Sequence, residues 1–374
     1  MNISLSEEQL MLQESVRKFV RAEYAFENRQ KRQRHAPGYA VENWNTMAEL
    51  GWLSLLVEEN YGGFSGGAGD LAVVMEEMGK GLVVEPFLAS AVLCTSLLQE
   101  LASAEQKDHW LPQLACGDVV MALACWEGNN AFDLQRIGAR AEKNSEGYVL
   151  NGVKTVVLNG AEADALLVTA NSEHGVSVFL VDAQQAGAQI VGYPTVDGGR
   201  AAEITFSDVQ LPAQALLGTE GAAMAGLEKA VDLATLAICA EALGVIQMLV
   251  DKTVEYAKTR QQFGQPIGRF QALQHRMVDM FMESQQARSI MLMATTVWDD
   301  AASTVEDRRR AVSAAKARIG KAGRLIGQEA VQIHGGIGVT EELDVGHYFK
   351  RMTIIGQQFG NSDRHLRRFA DASW

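Results

Sequence analysis

The 374-residue sequence predicts a multidomain protein of helices and strands. An N-terminal all-helical domain is expected over residues 1–118, a middle antiparallel β-barrel or sandwich over 119–221, and a C-terminal four-helix bundle over 222–374. Three observations predict this order. Apolar residues recur at helical spacing in the first third, short β-rich runs between turn residues fill the middle, and long amphipathic runs return after Gly221. A chain of this length also exceeds one ordinary core and fits two or three packed domains.

Ser6 and Gln9 have the spacing of a capping box, with Leu5 and Leu10 placed for a hydrophobic staple across it. Leu12, Val16, Phe19 and Val20 then repeat on one helical face. A second helical pattern ends in Leu53–Val57 and runs into the loop Tyr61-Gly62-Gly63-Phe64-Ser65-Gly66-Gly67; helices resume over 71–82 and after the turn Glu85-Pro86. From residue 119 the expected strands are 148–150, 155–158, 166–168, 176–181 and 203–209. Asn151-Gly152 and Asp197-Gly198 read as hairpin turns, because both dipeptides tolerate the positive φ that tight loops demand. Pro212 closes this block. Helical runs over about 222–258, 270–300, 304–334 and 345–370, joined by brief turns, complete the bundle.

Hydrophobic residues at 47% and charged residues at 21% are the balance of a globular protein. A net charge of -13 argues against a nucleic-acid partner, whose phosphates need a basic face. The opening MNISLSEEQL has no basic start followed by an apolar run, and no stretch reads as apolar for long enough to span a bilayer. No membrane partner and a cytoplasmic location are therefore expected. Cys94, Cys116, Cys125 and Cys239 lie far apart and read as buried thiols; neither they nor the histidines have metal-ligand spacing, so no metal is expected.

Two motifs are the most specific in the chain. One is Thr259-Arg260-Gln261-Gln262-Phe263-Gly264-Gln265-Pro266-Ile267 through Gln271, and the other is Gln332-Ile333-His334-Gly335-Gly336-Ile337-Gly338. Weaker ones precede them: Leu5-Ser6-Glu7-Glu8-Gln9, Leu50-Gly51-Trp52 with Tyr61-Gly62-Gly63, Leu150-Asn151-Gly152-Val153-Lys154, and Phe206-Ser207-Asp208-Val209 with Pro212. Together, and in this order, they resemble the acyl-CoA dehydrogenase family from end to end. The subtype most similar is the small subunit of pimeloyl-CoA dehydrogenase-type enzymes.

The resemblance implies FAD lodged between two subunits, its ring on one chain's strand domain and its adenosine pyrophosphate at a neighbour's bundle. It implies an acyl-CoA substrate, an electron-transferring flavoprotein as acceptor, and a dimer or tetramer with itself or with a homologous subunit. Carried over residue by residue, the cofactor-binding set is Arg260, Gln262, Phe263, Phe270, Gln271, Gln332, His334, Gly335 and Gly336. The residue types suit the task. A guanidinium grips a pyrophosphate bidentately, phenylalanine faces an aromatic cofactor, and a glycine pair admits phosphate to backbone N–H groups. Taken singly, each has a plainer reading as a solvated cation, a core ring or a helix stop.

Desaturation of an acyl thioester also needs a base for the α-proton while the β-hydrogen leaves as hydride. The family uses a glutamate, and its two known positions fall on Phe359 and Ala234, neither of which takes a proton. The strand-domain motifs depart as well. Cys125-Trp126-Glu127-Gly128 leading to Ala131-Phe132-Asp133 keeps Glu127 and Asp133 but has Phe132 in place of serine, and Val156-Val157-Leu158 replaces the family's Trp-Ile-Thr. The pattern fits a base-lacking subunit that serves a partner's flavin. A self-sufficient enzyme using Glu241 or Asp232 as an unusual base is a second reading, and a non-enzymatic acyl-CoA-binding scaffold is a third.

Overall fold

The computed structural model describes residues 5–33, 37–128 and 132–372. Its elements are helices α1 (Glu7–Glu23), α2 (Phe26–Gln33), α3 (Val41–Glu49), α4 (Ala68–Gly81), α5 (Thr95–Leu101) and α6 (Ala104–Cys116). Strands β1 (Met121–Ala124), β2 (Arg140–Lys143), β3 (Gly147–Leu158), β4 (Ala165–Ser172), β5 (Gly175–Asp182), β6 (Ala188–Pro194), β7 (Arg200–Pro212) and β8 (Leu216–Leu217) follow. Then come α7 (Met224–Thr259), a small hairpin of β9 (Gln261–Gln262) and β10 (Gln265–Pro266), α8 (Gln271–Asp299), α9 (Val305–His334), α10 (Asp344–Gln357) and α11 (Ser362–Asp371). The order is helices, strands, helices. The chain packs as two compact units: one holds residues up to 30, 67–83 and 235 onward, the other 31–66 and 84–234.

The second unit is built on a sheet in the order β6-β7-β3-β2-β4-β5-β8, with β1 also paired to β4. Most pairs are antiparallel; β1 and β2 run parallel to β4. Leu150, Leu166, Val168, Phe179, Ile204 and Phe206 fill its core. Asp197-Gly198 forms the β6–β7 turn, with Gly198 at φ +85°. Asn151-Gly152 does not turn. It lies inside β3, where the Asn151 side chain is spent on the neighbouring strand: Nδ2 donates to Asp208 Oδ1 at 3.0 Å, and Oδ1 accepts from the Asp208 N–H at 2.8 Å. The register slips there because β7 carries the extra residue, with Asp208 at φ +50°. A local turn signal is overridden by a long strand partner.

Three more expectations change in this unit. Leu53–Val57 is not a helix end, because α3 stops at Glu49 and Gly51, at φ +77°, turns the chain; the buried residues that follow lie in consecutive turns. Four strands carry no sequence signal of alternation: β1 is buried on both faces, β2 and β8 are short, and β6 is largely exposed. Cys116 is exposed at the end of α6, whereas Cys94 and Cys125 are buried.

In the first unit, the Ser6–Gln9 capping box is present, while Leu5 and Leu10 both remain exposed. α4 begins without a side-chain cap of its own, since Gly67 precedes it. Asp299 at the end of α8 supplies one, accepting from the Ala68 and Gly69 N–H groups at 2.7 and 2.8 Å. α4 and α7 meet backbone to backbone. A Cβ on Gly79 would lie 2.1 Å from the Glu241 carbonyl, and one on Gly244 would lie 2.0 Å from that of Glu76. The run expected over 345–370 is two helices, broken by Phe359 at φ +60° and Gly360 at φ +106°, after which Asn361 caps α11 through the Arg364 N–H. Contrary to the sequence reading, α7 is long and apolar enough to cross a bilayer by length and composition, but 89% of its apolar window is buried inside the protein. Its hydropathy is that of a core helix.

Candidate flavin-phosphate grip and the positions of the missing base

The two specific motifs meet at one end of the C-terminal helices. α7 ends at Thr259, and Arg260 follows with its carbonyl accepting from the Ile267 N–H at 2.8 Å, which closes the β9–β10 hairpin. Gln262, Phe263 and Gly264 form the hairpin tip. Phe263 is 90% exposed at φ +53°, and its ring meets Phe270 edge-on at 6.0 Å between centroids. Few bulky residues tolerate that conformation, and a large apolar ring in water gains nothing from it. Arg260, Gln262 and Gln271 are exposed, and among the described residues Arg260 has no carboxylate partner.

The second motif closes α9. His334 is buried, with Nδ1 donating to the Ala330 carbonyl at 2.8 Å, because a carbonyl can only accept; burial lowers its pKa below the ordinary imidazole value. Gln332 is exposed. Gly335, at φ +66°, ends the helix, and a Cβ at Gly335 or Gly336 would meet nothing within 4 Å. The motifs are joined by the rings of Tyr256 and His334, stacked at 4.4 Å, and by the Arg276–Glu329 ion pair between α8 and α9. An unpaired guanidinium, an exposed ring and backbone N–H groups free of Cβ atoms suit an anionic, aromatic ligand such as the adenosine pyrophosphate of FAD.

The positions for a base are different. Phe359 and Ala234 are both buried and apolar. Glu241 is buried on α7, but both its oxygens accept from Arg351, Nε to Oε1 and Nη2 to Oε2, each at 2.5 Å. Both carboxylate oxygens are thus occupied by the guanidinium fork, and a substrate proton would have to displace Arg351 to reach them. Asp232 is buried on the same helix and also engages other groups.

In the sheet, the residues retained at the family motif are consumed internally. The Lys154 ammonium, fully buried, donates to Glu127 Oε1 at 2.7 Å and to Thr169 Oγ1 at 3.0 Å. Glu127 also accepts from the Gly138 and Ala139 N–H groups at 2.6 and 3.1 Å. Burial lowers the Lys154 pKa; it acts to raise that of Glu127, but Lys154 and the two backbone N–H groups hold it below the usual carboxylate range. Phe132 stacks edge-on against Trp126 at 5.2 Å. Ala131 lies outside the described residues. Val156 sits at φ +52° on a second bulge of β3, an unusual conformation for a β-branched residue, and offers neither ring nor hydroxyl. Sequence reasoning did not single out Tyr256, whose four-residue spacing to Arg260 was the available signal, and it took Lys350-Arg351 only as the family's motif pair, without the Arg351 clamp on Glu241.

Comparisons with known proteins agree over the whole chain. The N-terminal, middle and C-terminal domain models of acyl-CoA dehydrogenase match residues 6–118, 122–209 and 224–373. The probable acyl-CoA dehydrogenase YngJ of Bacillus subtilis (strain 168) is 32% identical, covering 100% of this chain and 99% of its own. Among solved structures, the ChsE4-ChsE5 complex from Mycobacterium tuberculosis superposes with a TM-score of 0.90 at 27% identity, covering 99% of this chain and 98% of that one. The FAD complex of PigA gives the same TM-score, identity and coverage. The chain belongs to the acyl-CoA dehydrogenase family of FAD-dependent oxidoreductases.

Proposed function

We propose that this chain is the base-lacking subunit of a heteromeric acyl-CoA dehydrogenase, akin to the small subunit of pimeloyl-CoA dehydrogenase-type enzymes. One contrast carries the reading: Arg260, Phe263 and Gly335-Gly336 stand open to a ligand, while both base positions hold buried apolar side chains. Bound FAD would supply the hydride acceptor for desaturation of an acyl-CoA thioester. This chain's part is to bind. Arg260 offers paired N–H donors to a pyrophosphate, the Gly335 and Gly336 N–H groups approach the same charge, and Phe263 and Phe270 cover an aromatic face. Gln262, Gln271 and Gln332 add amide hydrogen bonds at the rim. The α-proton goes to a glutamate of the partner, since Phe359 and Ala234 cannot accept it. An electron-transferring flavoprotein is the electron acceptor that family membership favours. ChsE4-ChsE5, itself a complex of two differently named chains, supports the heteromeric assembly.

The self-sufficient reading needs Glu241 to leave Arg351, and the bidentate pair weighs against it. Spectral titration decides between them. The chain alone is expected to hold no stoichiometric FAD and to leave acyl-CoA unchanged, and co-expression with a glutamate-bearing homologue is expected to give a yellow, active complex. Stoichiometric FAD and full turnover by this chain alone would overturn the proposal.

A further inference from the structure

Arg260 and Gly335-Gly336 lie on different segments, so a ligand that needs both also needs their separation fixed. The loop that carries the glycines runs from His334 to Leu343 and is held at both ends by one face of α7. At its start, the Tyr256 ring stacks on the His334 ring at 4.4 Å with 26° between planes, and Tyr256 Oη makes a long contact of 3.5 Å with the His334 carbonyl. At its end, Lys252 pairs with Asp344, the first residue of α10, at 2.8 Å. Lys252 and Tyr256 are four residues apart and therefore share a helix face. Arg260 is four residues further on, and its N–H donates to the Tyr256 carbonyl at 2.8 Å. The last two turns of α7 thus carry both clamps of the glycine loop, and the cation follows directly on the helix end. The His334 imidazole keeps its proton on Nδ1 for Ala330, which leaves the ring face free to stack.

We infer that Tyr256 and Lys252 are positioning residues that hold the glycine loop in place relative to Arg260, as a pyrophosphate shared by the two segments requires. The inference rests on the reading of Arg260 and Gly335-Gly336 as a pyrophosphate grip. It is tested on the full chain with two measurements, hydrogen exchange of residues 335–343 and isothermal titration with ADP, which carries the adenosine and pyrophosphate without the flavin ring.

In Tyr256→Leu, exchange is expected to rise over 335–343 and to stay unchanged in α8, and ADP affinity is expected to fall about tenfold through lost preorganisation. Lys252→Met should show the same changes at the Leu343 end. Tyr256→Phe, which keeps the ring, should restore both readouts; a residue that matters only for global stability would not show this split. Unchanged exchange in Tyr256→Leu, or raised exchange with unchanged ADP affinity, would overturn the positioning role while leaving the grip intact. Failure of the unmodified chain to bind ADP any better than Arg260→Ala would remove the grip itself, and the positioning role with it.

Discussion

Two regions of this molecule keep letters of the same family pattern, and they keep them for different reasons. At the end of α7 and α9, the retained residues are unspent: Arg260 lacks an acidic partner among the described residues, Phe263 points its ring into solvent, and the glycine pair has open space around it. In the sheet, Glu127 and Lys154 are equally well retained but satisfy one another inside the fold. Lys154 is fully buried and is neutralised by the partly buried Glu127 carboxylate, which also holds the Gly138 and Ala139 N–H groups. A retained motif marks a working site only where its side chains have bonding capacity left over.

Substitutions test this contrast, and the largest effect is expected in the sheet. Lys154→Met leaves Glu127 partly buried without its cation and should cost about 3–5 kcal/mol of unfolding free energy, read from urea denaturation. The same pair gives a pH dependence. Because the folded-state pKa of Glu127 is depressed, its contribution is present above the ordinary carboxylate value and is lost as pH falls through the depressed one. Lys154→Met should weaken that acid sensitivity, leaving only the Gly138 and Ala139 N–H groups to favour the carboxylate; a pH–stability curve identical to the unmodified chain's would break the account.

Glu241→Gln comes next. It strips Arg351 of its counter-charge at a partly buried site and should destabilise by about 2–3 kcal/mol. If Glu241 is only a structural partner, turnover by the heteromeric complex falls no further than the folded fraction does. Complete loss of turnover in well-folded protein would restore it as a base.

Arg260→Ala should move stability by less than about 0.5 kcal/mol, because the side chain is exposed and has no ion-pair partner among the described residues, yet lower the FAD content of the complex at least about tenfold. The smallest effect on the isolated chain belongs to Phe263→Ser. Its unfolding midpoint should not change measurably, while assembly with the partner weakens, as followed by the mass from static light scattering of the mixed subunits. A loss of stability there would mean that the ring packs in the free chain after all.

Much of the architecture was legible in local signals. The Ser6–Gln9 box, the Asp197-Gly198 turn and the β-rich run of β7 work through neighbours a few residues apart, so the sequence displays cause and effect together. Asn151-Gly152 misleads because its deciding partner, Asp208, is 57 residues away. The candidate grip was legible as letters, since arginine and paired glycines have few substitutes at a phosphate. What remained hidden was which letters were already paired.

The sequence by itself determined the order of helical and strand blocks, one capping box and one hairpin turn, and the absence of an ionisable group at Phe359 and Ala234, all of which depend on residue type and short-range spacing. Only the tertiary structure decided that Glu241 is clamped by Arg351, that Lys154 and Glu127 neutralise each other, and that Tyr256 ties the two motifs together. Such pairings join positions far apart in the chain, and their free energy arises from burial and charge that exist only once the chain has folded.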